Sequence, residues 1–217
     1  MIHRRTIIAA AMTGVVMPVA AQTTVAQTAP TEDLAFRVAR NGSDIGRHTV
    51  RFATEGGTLI VGIAVDIKVG FGPVTFYRYR LRATETWRDG VLVNAVGETN
   101  DDGKKDFVRA ARQGNGLTVQ GSAGPNYSAP PRSICASHWN RAELAAPMVN
   151  IQDGALLTFA VSSKGREQIV VRGQTIAAEH HVLDGKDRLE IWYDDRGVWS
   201  ALRAPAKDGS TIDYSRI

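Results

Sequence analysis

From Leu34 onward the chain alternates apolar and polar side chains with a period of two. Successive side chains on an extended backbone point to opposite faces, so this period marks strands with one covered face. The clearest run is Thr58–Val69. Leu59, Val61, Ile63, Val65, Ile67 and Val69 share one face, and Thr58, Gly62, Ala64, Asp66 and Lys68 share the other. Such a strand would extend about 40 Å, long for a flat sheet and natural for a curved one. Gly70-Phe71-Gly72-Pro73 ends it. Phe76–Thr99 then reads as one long hairpin closed by Arg88-Asp89-Gly90. A three-residue turn with Gly90 left-handed pairs Trp87 with Val91, Glu85 with Val93, Ala83 with Ala95 and Leu81 with Gly97. Tyr77, Tyr79, Leu81, Ala83, Glu85 and Trp87 then share a mostly apolar face. Arg78, Arg80 and Arg82 line the opposite one.

Further strands are predicted at Leu34–Arg40, Ile45–Ala53, Asp106–Gln113, Leu117–Gln120, Ala155–Ser163, Arg166–Arg172, Thr175–Leu183, Arg188–Asp194, Val198–Arg203 and Thr211–Tyr214. Gly, Asn and Asp clusters separate most of them. Ser122–Ser133, rich in Pro, Ser and Gly, reads as a long loop. Ser137–Asn150 is the one helical stretch, with Trp139, Leu144 and Met148 on roughly one side and Pro147 shortening or kinking it. There is neither a repeat of fixed length nor a βαβ alternation. The expected fold is all-β and mainly antiparallel: a meander β-barrel or strongly curved half-barrel with one short helix, which hides its sheet edges by curling.

The N-terminus departs from this pattern. A basic start at His3-Arg4-Arg5, an apolar Ile7–Val19 and a small-residue site at Ala20-Ala21 predict a cleavable signal peptide over residues 1–21, and hence a periplasmic protein. Arg4-Arg5 also fits part of a twin-arginine signal. Residues 22–33, rich in Ala, Thr, Gln and Pro, read as a disordered linker before a single domain at 34–217. Cleavage takes the formal charge from +4 to +2, which with no Lys/Arg-dense run argues against a nucleic-acid partner. Cys135 is the only cysteine, so no intrachain disulfide supports the core.

Candidate chemistry is sparse. Glu85, beside Tyr79 and Trp87 on the apolar face, orients a ligand or acts as a general acid if burial raises its pKa. Otherwise it sits at a wet rim or pairs with an arginine. Arg78, Arg80 and Arg82 suit a phosphate or carboxylate head group, or are a solvated outer face. Cys135 with His138 has the residue types of a nucleophile pair but lacks a visible orienting group. Glu179-His180-His181 resembles a ligand cluster, yet neighbouring histidines on a strand face opposite ways, so no metal is expected. No phosphate loop, dinucleotide fingerprint or other cofactor signature occurs. Trp139, Trp192 and Trp199 line a ligand mouth or pack a core.

Several pieces together carry a resemblance: Phe36-Arg37-Val38 with Asp44-Ile45-Gly46-Arg47-His48; Tyr77-Arg78-Tyr79 with Glu85-Thr86-Trp87; Trp139-Asn140; and Leu189–Asp194 followed by Gly197-Val198-Trp199. Over most of residues 34–215 the chain resembles a family of secreted Gram-negative proteins classed as a domain of unknown function. More distantly it is similar to the unclosed barrels of periplasmic lipoprotein and lipid carriers. The resemblance implies an exported β-rich domain and carries over no catalytic residues. The expected function is binding of a hydrophobic or lipid-like ligand near Tyr77, Tyr79, Glu85, Trp87 and Trp139, with the protein at most peripheral to the envelope. An outer-membrane barrel, a ligand-free scaffold, and an enzyme built on Glu85 or on Cys135 with His138 stand as alternatives.

Overall fold

The computed structural model describes residues 30–71, 74–206 and 208–217. The predicted signal peptide and most of the predicted linker lie outside them, as do Gly72, Pro73 and Lys207 of the predicted turns. The last two linker residues are tied to the domain. Asp33 Oδ1 accepts from Phe52 N at 3.0 Å, and Glu32 pairs with Arg172 at 3.1 Å.

Thirteen strands form one antiparallel sheet. The chain meanders through β1 (Leu34–Arg40), β2 (Ser43–Glu55), β3 (Thr58–Phe71), β4 (Val74–Arg88), β5 (Val91–Asp101), β6 (Lys104–Gln113), β7 (Gly116–Gly121) and β8 (Gly124–Ala129) to one edge. A crossing segment follows, with three short strands: β9 (Ile134–Ala136), β10 (Met148–Asn150) and β11 (Leu156–Leu157). The chain re-enters at the opposite edge as β12 (Ala160–Val171). It returns through β13 (Gln174–Asp184), β14 (Leu189–Asp194) and β15 (Trp199–Pro205) to β16 (Thr211–Arg216), which pairs with β1. The sheet is curved and is not closed; β8 and β12 are its edges.

Alternation explains where the core lies. The inward sets Val61, Ile63 and Val65 on β3, Leu81, Ala83 and Trp87 on β4, and Phe36 and Val38 on β1 are all buried. They pack on the crossing segment, whose Cys135, Trp139, Val149 and Ile151 are equally buried. Two glycines admit its backbone. A Cβ on Gly97 would stand 2.2 Å from Ile151 O, and one on Gly121 would stand 2.2 Å from Asp153 O. An isolated glycine inside a strand often marks such a close approach.

Four sequence expectations are corrected. First, the β4–β5 turn has two residues, Asp89 and Gly90, both at positive φ (49° and 72°), as a primed turn requires. It pairs Arg88 with Val91, and a bulge beyond Thr86 sets Glu85 opposite Ala95 and Leu81 opposite Thr99. Leu92, not Val91 or Val93, becomes the buried residue. The inward face of β4 is unchanged, because this register differs by two residues over most of the hairpin. Second, the predicted helix Ser137–Asn150 shrinks to one 3-10 turn, Arg141–Leu144. Asn140 caps it, its side chain accepting from Ala142 N at 3.0 Å, and it stops short of Pro147. Third, half of the predicted loop 122–133 is strand β8. Its Tyr127 seats its hydroxyl on Gly154 O at 2.9 Å. Fourth, Ser163-Lys164-Gly165 is a bulge inside the single strand β12, where a turn between two strands was expected.

Candidate functional site

The inward face has a sealed end and an open end. At the sealed end Glu85 sits between Val61 and Ala95 on its neighbouring strands and is fully buried. Trp87 Nε1 donates to its Oε2 at 2.8 Å and Trp139 Nε1 donates to the same oxygen at 2.9 Å. The two indoles meet edge to face at 5.3 Å, and Phe52 packs against Trp139 at 5.4 Å. Glu85 Oε1 has no hydrogen-bond partner of good geometry. Ser137 is a further polar partner of this carboxyl, and its hydroxyl also lies 3.5 Å from Cys135 O. Burial pushes the Glu85 pKa up against the pull of these donors. Burial therefore favours the neutral carboxyl.

A second buried carboxylate lies close by. Glu143 takes the backbone N of His138 at 3.1 Å, stands 3.0 Å from His138 Nδ1, and accepts from the Tyr193 hydroxyl at 2.9 Å. Tyr193 also reaches His138 O at 3.0 Å. His138 has φ 69°, a left-handed backbone that costs a non-glycine residue energy. Here the strain lets two adjacent residues, His138 and Trp139, serve different carboxylates. Sequence reading missed Glu143 and Tyr193: the predicted helix would have put Glu143 on the side of Trp139, four residues away, but nothing local marked Tyr193 as its partner.

This network pins the crossing segment to β4 and β14. It leaves a substrate little to reach. The Cys135 thiol is buried and its pKa is pushed well up by desolvation, the opposite of an activated nucleophile. His138 turns its Nδ1 to Glu143. His48, sealed under Phe36, Trp199 and Tyr214, is held neutral, its pKa depressed by burial to about 3.

At the open end the crossing segment reaches the level of Thr99, whose hydroxyl donates to Gln152 O at 3.1 Å. Beyond that level Tyr77 and Tyr79 on β4 are half-buried, as are Val69 on β3, Ile45 on β2, and Ile212 and Tyr214 on β16. Desolvation raises all three tyrosine pKa values, that of Tyr214 to about 12, so the phenols stay neutral. Thus the structure separates the five expected ligand residues. Tyr77 and Tyr79 are partly covered at this end, while Glu85, Trp87 and Trp139 are packed out of reach. Val69 and Tyr214 lay on predicted strands; nothing local in the sequence showed that β1 and β16 would bring them to this end.

The arginine row and His180 lie outside this face. Arg80 and Arg82 are exposed and share Asp66, at 3.1 and 2.6 Å. His180 stacks on Trp192 at 4.3 Å; its Nδ1 is 2.7 Å from Glu167, and its Nε2 lies 3.0 Å from Glu190 without hydrogen-bond alignment. The two ring nitrogens face separate carboxylates, so they do not converge on one ion. His181 points to the opposite face, toward Tyr193. Among the described residues no cluster of three metal-ligating groups occurs.

A sheet that wraps its own crossing segment defines a β-barrel-like domain, and residues 36–217 match the model of the domain of unknown function DUF6134. The chain belongs to that family. It is also similar in fold to a β-barrel-like protein of the domain of unknown function DUF1849 from Brucella abortus, known from a crystal structure. The TM-score is 0.58 and the identity 10%, over 85% of this chain and 95% of that one. No curated protein matches the chain.

Proposed function

We propose that this protein is an exported, periplasmic binding module that takes a hydrophobic or lipid-like molecule at the open end of its half-barrel. The observation that carries this reading is that Tyr77, Tyr79, Val69, Ile45, Ile212 and Tyr214 are left only partly covered against the core, which we read as a shallow trough. Neutral phenols around aliphatic side chains suit an acyl chain or a flat apolar ring. The signal-like N-terminus supports export. A membrane-spanning barrel has no open edge, so the edges at β8 and β12 favour work outside the hydrocarbon layer.

Purified from its own host and examined by native mass spectrometry, the protein should carry a small hydrophobic molecule. Bare polypeptide, together with no saturable uptake of a fluorescent fatty acid, would favour a plain scaffold. The crossing segment that already fills the sealed end gives that second reading its support.

A further inference from the structure

The β3–β4 hairpin is longer than its surroundings. β2 follows β3 only to Ile67, opposite Gly46, and β5 follows β4 only to Tyr79, opposite Asp101. Beyond those levels β3 and β4 pair only with each other as a two-stranded ribbon, from Lys68 opposite Arg78 to Phe71 opposite Val74, and Arg78 is the last β4 residue held from the β5 side, its O accepting from Asp102 N at 2.8 Å. Near the ribbon's tip Val69 pairs with Tyr77 and Gly70 with Thr75, so Phe76 is left as the unpaired residue of a bulge. The bulge is tight enough that a Cβ on Gly70 would stand 2.2 Å from Val74 O. Bulges re-aim side chains, and this one leaves Phe76 66% exposed beside Val74 at 53%. Phe76 is the most exposed of the large apolar residues described.

Directly behind this apolar tip Lys68 stands opposite Arg78, both exposed. Like charges facing each other across a ribbon repel. Among the described residues neither side chain makes an ion pair, although Asp102 lies at the Arg78 backbone, its Oδ1 accepting from Arg78 N at 3.3 Å. An anionic surface would supply the countercharge. We infer that the β3–β4 ribbon docks on an anionic lipid surface, with Phe76 and Val74 entering the headgroup layer and Lys68 and Arg78 pairing with lipid phosphates. Two small apolar contacts and a narrow ribbon fall well short of the area a stable protein partner needs. They suffice for a membrane interface, where a few apolar side chains act together with basic ones. The inference is independent of any ligand in the trough. Tyr77 and Val69 belong to both features, so docking would also turn the open end toward the membrane.

The test is co-sedimentation of the full domain with vesicles of phosphatidylcholine alone or mixed with phosphatidylglycerol. Binding is expected to the mixed vesicles only, and added salt should release it. Lys68→Gln and Arg78→Gln should each lower partitioning about fivefold. Phe76→Ser should lower it by at least about fivefold. Val170→Ser, an equally exposed valine (63%) on edge strand β12, should leave it unchanged. Absence of sedimentation with anionic vesicles, indifference to Phe76→Ser, or an equal loss with Val170→Ser would each overturn the inference.

Discussion

Trp139 donates its indole N–H to Glu85 across 2.9 Å in a fully buried contact, joining the crossing segment to the C-terminal part of β4. Trp87 donates to the same oxygen. The carboxyl is therefore an acceptor that anchors a plug, and its burial favours the uncharged form.

Glu85→Gln should consequently be tolerated, with a loss below about 1 kcal/mol, because the amide oxygen still accepts both indoles. Glu85→Ala removes the acceptor from two buried donors and should cost about 2–4 kcal/mol. Urea unfolding followed by tryptophan fluorescence separates the two. Equal losses for both variants would mean that the charge matters.

Stability should respond to pH in two opposed ways. Glu85 has a folded pKa raised above 4.5, so the folded state holds its proton longer than the unfolded chain. Its contribution is fully present below 4.5 and declines as pH rises through the folded pKa. His48 has a folded pKa lowered from 6.5 to about 3. Its contribution is fully present above 6.5 and is lost as pH falls toward 3, by an amount on the order of 5 kcal/mol. Unfolding midpoints measured across this range should fall on the acid side in the parent. The acid-side fall should be much weaker in His48→Gln, and the decline toward higher pH should be absent in Glu85→Gln.

Gly97 and Gly62 make a matched pair. Both lie in strands without a left-handed backbone, but only Gly97 meets Ile151 O; nothing lies within 4 Å of a Cβ on Gly62. Gly97→Ala should destabilise by about 2–4 kcal/mol as the crossing segment is pushed off β5. Gly62→Ala should fall within about 0.5 kcal/mol of the parent. Thermal unfolding of the two proteins decides this. Similar melting points would contradict the close approach.

Much of this architecture is legible in the chain. The alternation in Thr58–Val69 and on β4 names the inward face correctly, because a half-buried strand must segregate its side chains. The antiparallel meander follows from the turn clusters. What fails is governed by tertiary contact. Local apolar spacing makes Ser137–Asn150 look helical, but Met148–Asn150 gains more by pairing with Ile134–Ala136 inside the half-barrel. Val93 becomes a bulge because Asp89-Gly90 alone completes the turn. Glu85 and Trp139 are both conspicuous as candidates, yet their mutual bond spans a fold that no local pattern encodes. The two aromatic groups therefore look alike in sequence and part company in space, Trp87 and Trp139 sealed, Tyr77 and Tyr79 open.

That division is what the binding account rests on, and one titration tests it most directly. A fluorescent fatty acid is added to the parent protein, to Ile212→Glu and to Glu85→Gln, each confirmed folded by circular dichroism. Ile212 lies in the half-covered trough, and a charge there should weaken binding at least about tenfold, since a carboxylate must be desolvated against an apolar ligand. Glu85→Gln should bind as the parent does. Unaltered binding in Ile212→Glu, or loss confined to Glu85→Gln, would contradict the account.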